Sequence, residues 1–192
     1  MISLIDLSIS VEGRILLNNV NVTFLNSSIT YLQGPNGSGK TSMLRILAGI
    51  MVPVTGEINY KNQHKINYIG HDLGLKSELT VIDHLQFWTN TYNSIEALEA
   101  SVYYFGLNQL LDKKIYELSA GNQKKVALAK LLACQANLWL LDEADVNLDI
   151  ANKQLLDDLI ISKANNGGII ILTSHNNVFI KGSNLLNLID FK

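Results

Sequence analysis

One short segment of the sequence combines glycine, lysine and threonine at a spacing that can hold a phosphate chain. It reads Gly34, Pro35, Asn36, Gly37, Ser38, Gly39, Lys40 and Thr41, followed by Ser42. The segment matches G-x-x-x-x-G-K-[ST] in full. Its glycines let backbone amides turn toward phosphate oxygens, and a helix beginning there adds the positive end of its dipole. The pattern predicts that Lys40 reaches the β- and γ-phosphates and that Thr41 binds Mg²⁺.

Two other interpretations of this glycine-rich segment are open to test. An ordinary glycine-rich turn would not need a strand before it and a helix after it, and both are expected here. A dinucleotide-binding fingerprint would need a third glycine at position 42, where the chain has Ser42. The phosphate loop is therefore the interpretation that the sequence favours.

A pair of carboxylates provides the second group of chemically useful residues. The apolar run Leu138–Leu141 ends in Asp142 and Glu143. At the end of a buried strand, Asp142 is expected to bind the metal and Glu143 to polarise an attacking water. Taken alone, the pair could equally be two surface acids at a solvated strand end.

A histidine ends another apolar run. Ile170 to Leu172 continues through Thr173 and Ser174 to His175. The carboxyl ends of parallel strands converge on the ligand crevice, so His175 is expected to contact a γ-phosphate or hold the water. A capping or core histidine is the alternative.

An α/β fold would bring these segments together. The strand patterns cover residues 2–9, 20–24, 29–33, 56–60, 65–69, 138–141, 169–172 and 185–189, the last as an edge strand. Helical patterns cover residues 41–50, an aromatic block over 80–108, a helix capped by Ser119, and 152–164. The continuous apolar runs are typical of central parallel strands, and the aromatic block looks like an inserted lobe.

Composition narrows the possible classes of protein. The 192 residues suit one domain, the single cysteine excludes an intramolecular disulfide framework, and the net charge of −2 argues against binding nucleic acid by bulk electrostatics. No run of about 18 apolar residues could span a bilayer, and the N-terminus does not resemble a secretory signal. Lys124 and Lys125 are expected on a solvated helix face, and Cys134 is expected to be a buried, inert thiol.

Taken together, these motifs resemble those of one known protein family. Leu118-Ser119-Ala120-Gly121-Asn122 resembles the L-S-G-G-Q signature of ATP-binding cassette (ABC) ATPases. Leu148-Asp149 resembles the D-loop of that family, and His175 matches its switch histidine. The phosphate loop, signature, carboxylate pair, D-loop and histidine follow the order of that family.

The resemblance implies a single nucleotide-binding domain over residues 1–192. Its fold would be a P-loop NTPase core with a parallel-sheet lobe, N-terminal antiparallel strands and an α-helical subdomain at about residues 76–118. ATP and Mg²⁺ would be the cofactors, and Lys40, Glu143 and His175 the catalytic residues. Ser119 and Gly121 would complete the ATP site of a second copy, which implies a head-to-tail homodimer with ATP sandwiched between the copies.

A closer resemblance covers residues 68–80. This segment resembles the Y-L-G-H-x-x-G-x-K-x-E-L-(S/T) stretch in the ATPase subunits of Ccm-type haem exporters, with His71 where most cassettes carry glutamine. It implies that His71 belongs to the nucleotide site and that ATP hydrolysis drives haem export or delivery for cytochrome c biogenesis. It also implies separate integral membrane subunits, no nucleic acid, and a peripheral position on the cytoplasmic face of the inner membrane.

The sequence departs from the family pattern at three places and leaves alternatives open. Asn122 replaces the signature glutamine, Ala144 replaces a proline, and no adenine-stacking aromatic lies near Val11. An exporter of another small substrate, a soluble regulatory cassette and a nucleotide-sensing dimer module all remain compatible with the motifs. A small P-loop kinase would have no reason to carry Leu118–Asn122.

Overall fold

The chain alternates strands and helices around two sheets, and the computed structural model describes residues 1–174 and 179–192. The strands are β1 (Ile2–Val11), β2 (Arg14–Phe24), β3 (Ser28–Gln33), β4 (Thr55–Tyr60), β5 (Ile66–Ile69), β6 (Leu138–Asp142), β7 (Ile169–Thr173) and β8 (Asn184–Asn187). The α-helices are α1 (Lys40–Leu47), α2 (Val81–Tyr92), α3 (Ala97–Tyr104), α4 (Ala120–Ala133) and α5 (Ile150–Asn165). Short 3-10 turns cover Asn108–Leu110, Ile115–Glu117 and Leu188–Phe191.

A five-stranded parallel sheet forms the centre of the fold, in the order β5-β6-β7-β3-β8. Every residue of β6 and β7 is buried, because side chains pack on both faces. Leu138 and Leu140 belong to one apolar cluster, whereas Trp139 and Leu141 belong to the other. The predicted parallel α/β core is therefore confirmed, and the carboxyl ends of its strands lie at one edge.

A three-stranded antiparallel sheet, in the order β2-β1-β4, packs with α1 on one side of the parallel sheet. Its register pairs Ile2 with Phe24 on one side and with Tyr60 on the other. The expected strand at residues 20–24 is part of a longer strand, because β2 already begins at Arg14. The additional residues pair with the end of β1, where Arg14 lies opposite Val11 and Leu17 lies opposite Ile9.

The aromatic block is two helices rather than one continuous helical stretch. Thr80 caps α2 by accepting from the Asp83 N–H at 3.2 Å. The chain leaves the helix at Asn93, whose φ of 52° is left-handed, and Ser94 Oγ donates to the Ala133 carbonyl of α4. Asparagine tolerates this conformation better than most residues, which explains the break. The inserted helical lobe thus packs mainly on α4.

The ends of most elements differ from the sequence prediction by a few residues, as three examples show. Helix α1 ends at Leu47 instead of residue 50, and α5 begins at Ile150 instead of residue 152. The edge strand β8 stops at Asn187, where the Asn187 side chain caps a 3-10 turn. Within the described ranges, no helix combines the length and the apolar character needed to cross a bilayer.

Candidate functional site

The predicted phosphate loop joins the end of β3 to the start of α1. Gly34, Gly37 and Gly39 have φ values of 149°, 75° and 102°, in the region that favours glycine. A Cβ on Gly34 would also lie 2.5 Å from Ser38 Oγ, so a side chain there would force Ser38 to move. Gly39 is the N-cap of α1 and Lys40 is its first residue. The local sequence therefore determines both the sharp turn and the helix that begins within it.

Two side chains of the loop are arranged to meet an anion. Lys40 Nζ donates to the carbonyls of Gly34 and Pro35, at 2.8 and 3.2 Å, so its ammonium lies against the loop. Ser38 Oγ is buried and has no hydrogen-bond partner in the described part of the chain. Buried hydroxyls are normally paired, so a phosphate oxygen would satisfy this one.

The predicted carboxylate pair is held in place by the neighbouring strand. Asp142 lies opposite Thr173 in the sheet and is buried. Thr173 Oγ1 donates to Asp142 Oδ1 at 2.8 Å and accepts from the Glu143 N–H at 2.9 Å. Glu143 has a φ of 54°, which turns the chain out of β6 immediately after Asp142. One threonine therefore orients both acidic residues.

A cleft of about 320 Å³ brings the loop and Glu143 together. Glu143 is on its wall beside Lys40 and Thr41. The remaining lining residues are Val11, Leu16, Asn36, Gly37, Gly39 and Ser42. A lysine, several residues of the glycine-rich loop and a glutamate thus line one space, which suits phosphate binding followed by activation of a water.

Several predicted residues are not among those that line this cleft: Gly34, Pro35 and Ser38 of the loop itself, the buried Asp142, and also His71, Ser119 and Gly121. His71 lines a separate cleft of about 280 Å³ with Arg45 and Tyr68. Ser119 and Gly121 are exposed at the start of α4, where Ser119 Oγ accepts from the Asn122 N–H at 3.4 Å. The predicted N-cap is confirmed, but a single copy does not bring the signature to its own phosphate loop. The predicted His175 lies outside the described residues.

A larger groove of about 510 Å³ lies among α3, α4 and α5. Leu131, Trp139 and Leu159 line it, and Lys163 lies 5.4 Å from the centre of the Trp139 ring. This groove has no glycine-rich loop, so its greater size does not make it the nucleotide site.

Lys124 was wrongly expected on a solvated face. The side chain is buried on α4, and its Nζ donates to the Glu143 carbonyl at 3.2 Å. Burial lowers the pKa of Lys124, while the charges of Asp145 and Glu143 act in the opposite direction. The adjacent sequence gave no signal of this burial, because Lys124 is followed directly by a second lysine, Lys125.

The predicted burial of Cys134 is confirmed. The thiol is fully buried, and burial raises its pKa to about 12.

Comparison with known proteins shows the family of this chain. The profile of the family described as ABC transporter matches residues 17–146. The chain belongs to the ABC transporter family. This cassette is 51% identical to the cytochrome c biogenesis ATP-binding export protein CcmA of Rickettsia bellii, covering 98% of this chain and 100% of the relative. It is 32% identical to the protein of that name from Reclinomonas americana, covering 92% and 86%.

Solved structures agree with this fold. A putative ABC transporter ATP-binding protein from Pyrococcus furiosus has a TM-score of 0.85 at 24% identity, covering 100% of this cassette and 98% of that chain. A dimeric ATP-binding cassette with bound ADP and Pi has a TM-score of 0.81 at 21% identity, covering 92% and 88%. The predicted ABC ATPase fold, with its parallel sheet and antiparallel strands, is confirmed.

Proposed function

We propose that this cassette is the ATP-hydrolysing subunit of an ABC transporter that exports or delivers haem for cytochrome c biogenesis. One observation carries the ATPase part of the proposal: Glu143 lines the same cleft as Lys40 and Thr41. The relatives named for cytochrome c biogenesis support the assignment to that process, because they match this chain over nearly its full length.

Binding of ATP would begin at the phosphate loop. The three glycines with positive φ would let the loop backbone approach the triphosphate closely. The residues that would surround the phosphates, besides Lys40 and Thr41, are Gly34, Pro35, Asn36, Gly37, Ser38, Gly39 and Ser42. Lys40 would exchange its two carbonyl partners for the β- and γ-phosphate oxygens, which carry full negative charge. Ser38 Oγ would gain the acceptor that it lacks in the described chain.

Two predicted residues offer donor atoms that would suit a Mg²⁺ ion. Thr41 supplies a hydroxyl and Asp142 a carboxylate, and hard divalent cations prefer oxygen donors of these kinds. When bound with ATP, Mg²⁺ neutralises charge on the phosphates.

Hydrolysis would depend on Glu143. Its carboxylate would orient a water toward the γ-phosphate and accept a proton from it, with ADP as the leaving group. Thr173 would prepare this step by holding the Glu143 backbone. His175, which follows β7 by two residues in the sequence, is proposed to contact the γ-phosphate.

The exposed start of α4 supports a dimer. Ser119 and Gly121 lie at the positive end of a 14-residue helix and are not among the residues that line the phosphate-loop cleft of the same copy. In a head-to-tail pair they would contact the γ-phosphate held by the other phosphate loop. ATP would then bridge two copies, and hydrolysis would release them. His71 would sense the bound nucleotide from the neighbouring cleft.

Separate integral membrane subunits would convert the ATP-dependent association and release of the two copies into transport. The cassette would lie peripherally on the cytoplasmic face of the inner membrane. Nucleic acid is not proposed as a partner, since the formal net charge is −2.

The ATPase part is tested with the purified chain. Lys40→Ala should lose most ATP affinity, because it removes the charge that faces the β- and γ-phosphates. Glu143→Gln should bind ATP, hydrolyse it slowly and accumulate as a dimer. ATP affinity by calorimetry and mass by light scattering check these outcomes. Unchanged affinity in Lys40→Ala, or a persistent monomer of Glu143→Gln with ATP, would contradict the proposal.

The transport part is tested in a bacterium that lacks its own cytochrome c biogenesis ATP-binding export protein. The wild-type chain, co-expressed with its membrane partners, should restore covalent haem on c-type cytochromes in haem-stained gels. Glu143→Gln, expressed to the same level, should not. If Glu143→Gln also restored covalent haem on c-type cytochromes, haem delivery would not depend on ATP hydrolysis by this chain. Co-purification of ribosomes with the wild type would favour a regulatory cassette.

A further inference from the structure

Lys124 lies between two parts of the proposed machinery. It is in the first turns of α4, five residues after Ser119, and its side chain is 8% exposed. Its Nζ donates to the main-chain carbonyl of Glu143 at 3.2 Å. A buried lysine gives up hydration, so a direct contact of this kind is needed to compensate it.

Gln123, the residue before Lys124, contacts the segment that leads into the signature. Gln123 Nε2 donates to the carbonyl of Leu118 at 3.3 Å and to that of Ile115 at 3.0 Å. Leu118 immediately precedes Ser119. Successive side chains of α4 therefore contact the signature segment, residues 118–122, and the turn that contains Glu143.

The backbone of Glu143 is held from both sides. Thr173 accepts from its N–H at 2.9 Å, and Lys124 donates to its carbonyl. The residue has a φ of 54°, a conformation that a non-glycine residue keeps only when its surroundings impose it. Of these two partners, Thr173 belongs to the rigid parallel sheet, whereas Lys124 belongs to the helix that carries the signature.

We propose that Lys124 is a positioning residue that makes the orientation of Glu143 depend on the position of the signature helix. This inference rests on the proposed dimer, in which Ser119 contacts the ATP of the partner while Glu143 serves the ATP of its own copy. Engagement of ATP at one site then shifts α4, and Lys124 transmits the shift to the glutamate of the other site. The two ATP sites are thereby coupled.

The test is steady-state ATP hydrolysis by Lys124→Met, which keeps an unbranched apolar stem close to the length of the lysine side chain and removes the donor. Lys125→Met is the matched control, because Lys125 lies on the same helix and its ammonium makes no hydrogen bond or ion pair within the described residues. Wild type should hydrolyse ATP with a Hill coefficient above one. Lys124→Met should lower kcat about tenfold, leave KM for ATP within about twofold, and bring the Hill coefficient close to one.

Two further variants separate positioning from general stability. Lys124→Arg, which keeps a long charged donor, should recover most of kcat, whereas Lys124→Gln, whose donor is too short, should resemble Lys124→Met. Thermal unfolding of all variants shows whether the changes in kcat follow stability instead. Equal behaviour of Lys124→Met and Lys125→Met, or a Hill coefficient unchanged in Lys124→Met, would overturn the inference while leaving the ATPase proposal intact. A wild-type chain that binds no ATP would overturn both.

Discussion

Thr173→Val offers a direct measure of how the carboxylate pair is supported. The change replaces the Oγ1 hydroxyl with a methyl group at a site that is 1% exposed. It removes two hydrogen bonds. Thr173 Oγ1 donates one to the Asp142 carboxylate at 2.8 Å and accepts the other from the Glu143 N–H at 2.9 Å. A hydrogen bond to a charged group contributes about 1.5–3 kcal/mol, and a neutral one about 0.5–1.5 kcal/mol. Their loss should lower the free energy of unfolding by about 3 kcal/mol, which for a domain of this size lowers Tm by about 6–12 °C.

Thr173→Ser is the matched control for this experiment. It keeps the hydroxyl and loses a buried methyl group, at a cost of about 1 kcal/mol. Urea unfolding monitored by circular dichroism gives both values, and ATP hydrolysis should fall at least tenfold in Thr173→Val alone because the Glu143 backbone is released. The reasoning is refuted if the two variants unfold at the same urea concentration and hydrolyse ATP at the same rate.

Three further outcomes follow from buried or strained positions. Gly34→Ala should weaken ATP binding at least tenfold in calorimetry, because its Cβ would lie 2.5 Å from Ser38 Oγ at a φ of 149°; unchanged affinity would mean that the loop adapts. Burial lowers the pKa of His84 to about 4, below its ordinary 6.5, so the unfolded chain binds a proton that the folded protein excludes. The free energy of unfolding should therefore fall by up to about 3 kcal/mol between pH 6.5 and 4, and His84→Gln should lack this part of the pH dependence in urea titrations. Cys134 should react with a thiol reagent at pH 8 only after unfolding, since burial raises its pKa to about 12; rapid labelling of the native protein would contradict its burial.

The regular elements were largely predictable because their signals are local. The apolar runs of β6 and β7 marked buried parallel strands, and both are buried throughout. The break between α2 and α3 was not predicted. Apolar and aromatic residues continue through this region at helical spacing, while the left-handed turn at Asn93 is stabilised by contact of Ser94 with α4.

The sequence by itself determined the parts whose geometry depends on adjacent residues. Gly34 to Lys40 specify their own turn and helix start, and Ser119 caps α4 through the Asn122 N–H three residues later. Only the tertiary structure decided that Lys124 is buried and bonded to Glu143, 19 residues away. The same lysine suits a solvated helix face when only its neighbours in sequence are considered. The packing of α4 against the sheet removes water from its ammonium, and the Glu143 carbonyl then becomes its partner.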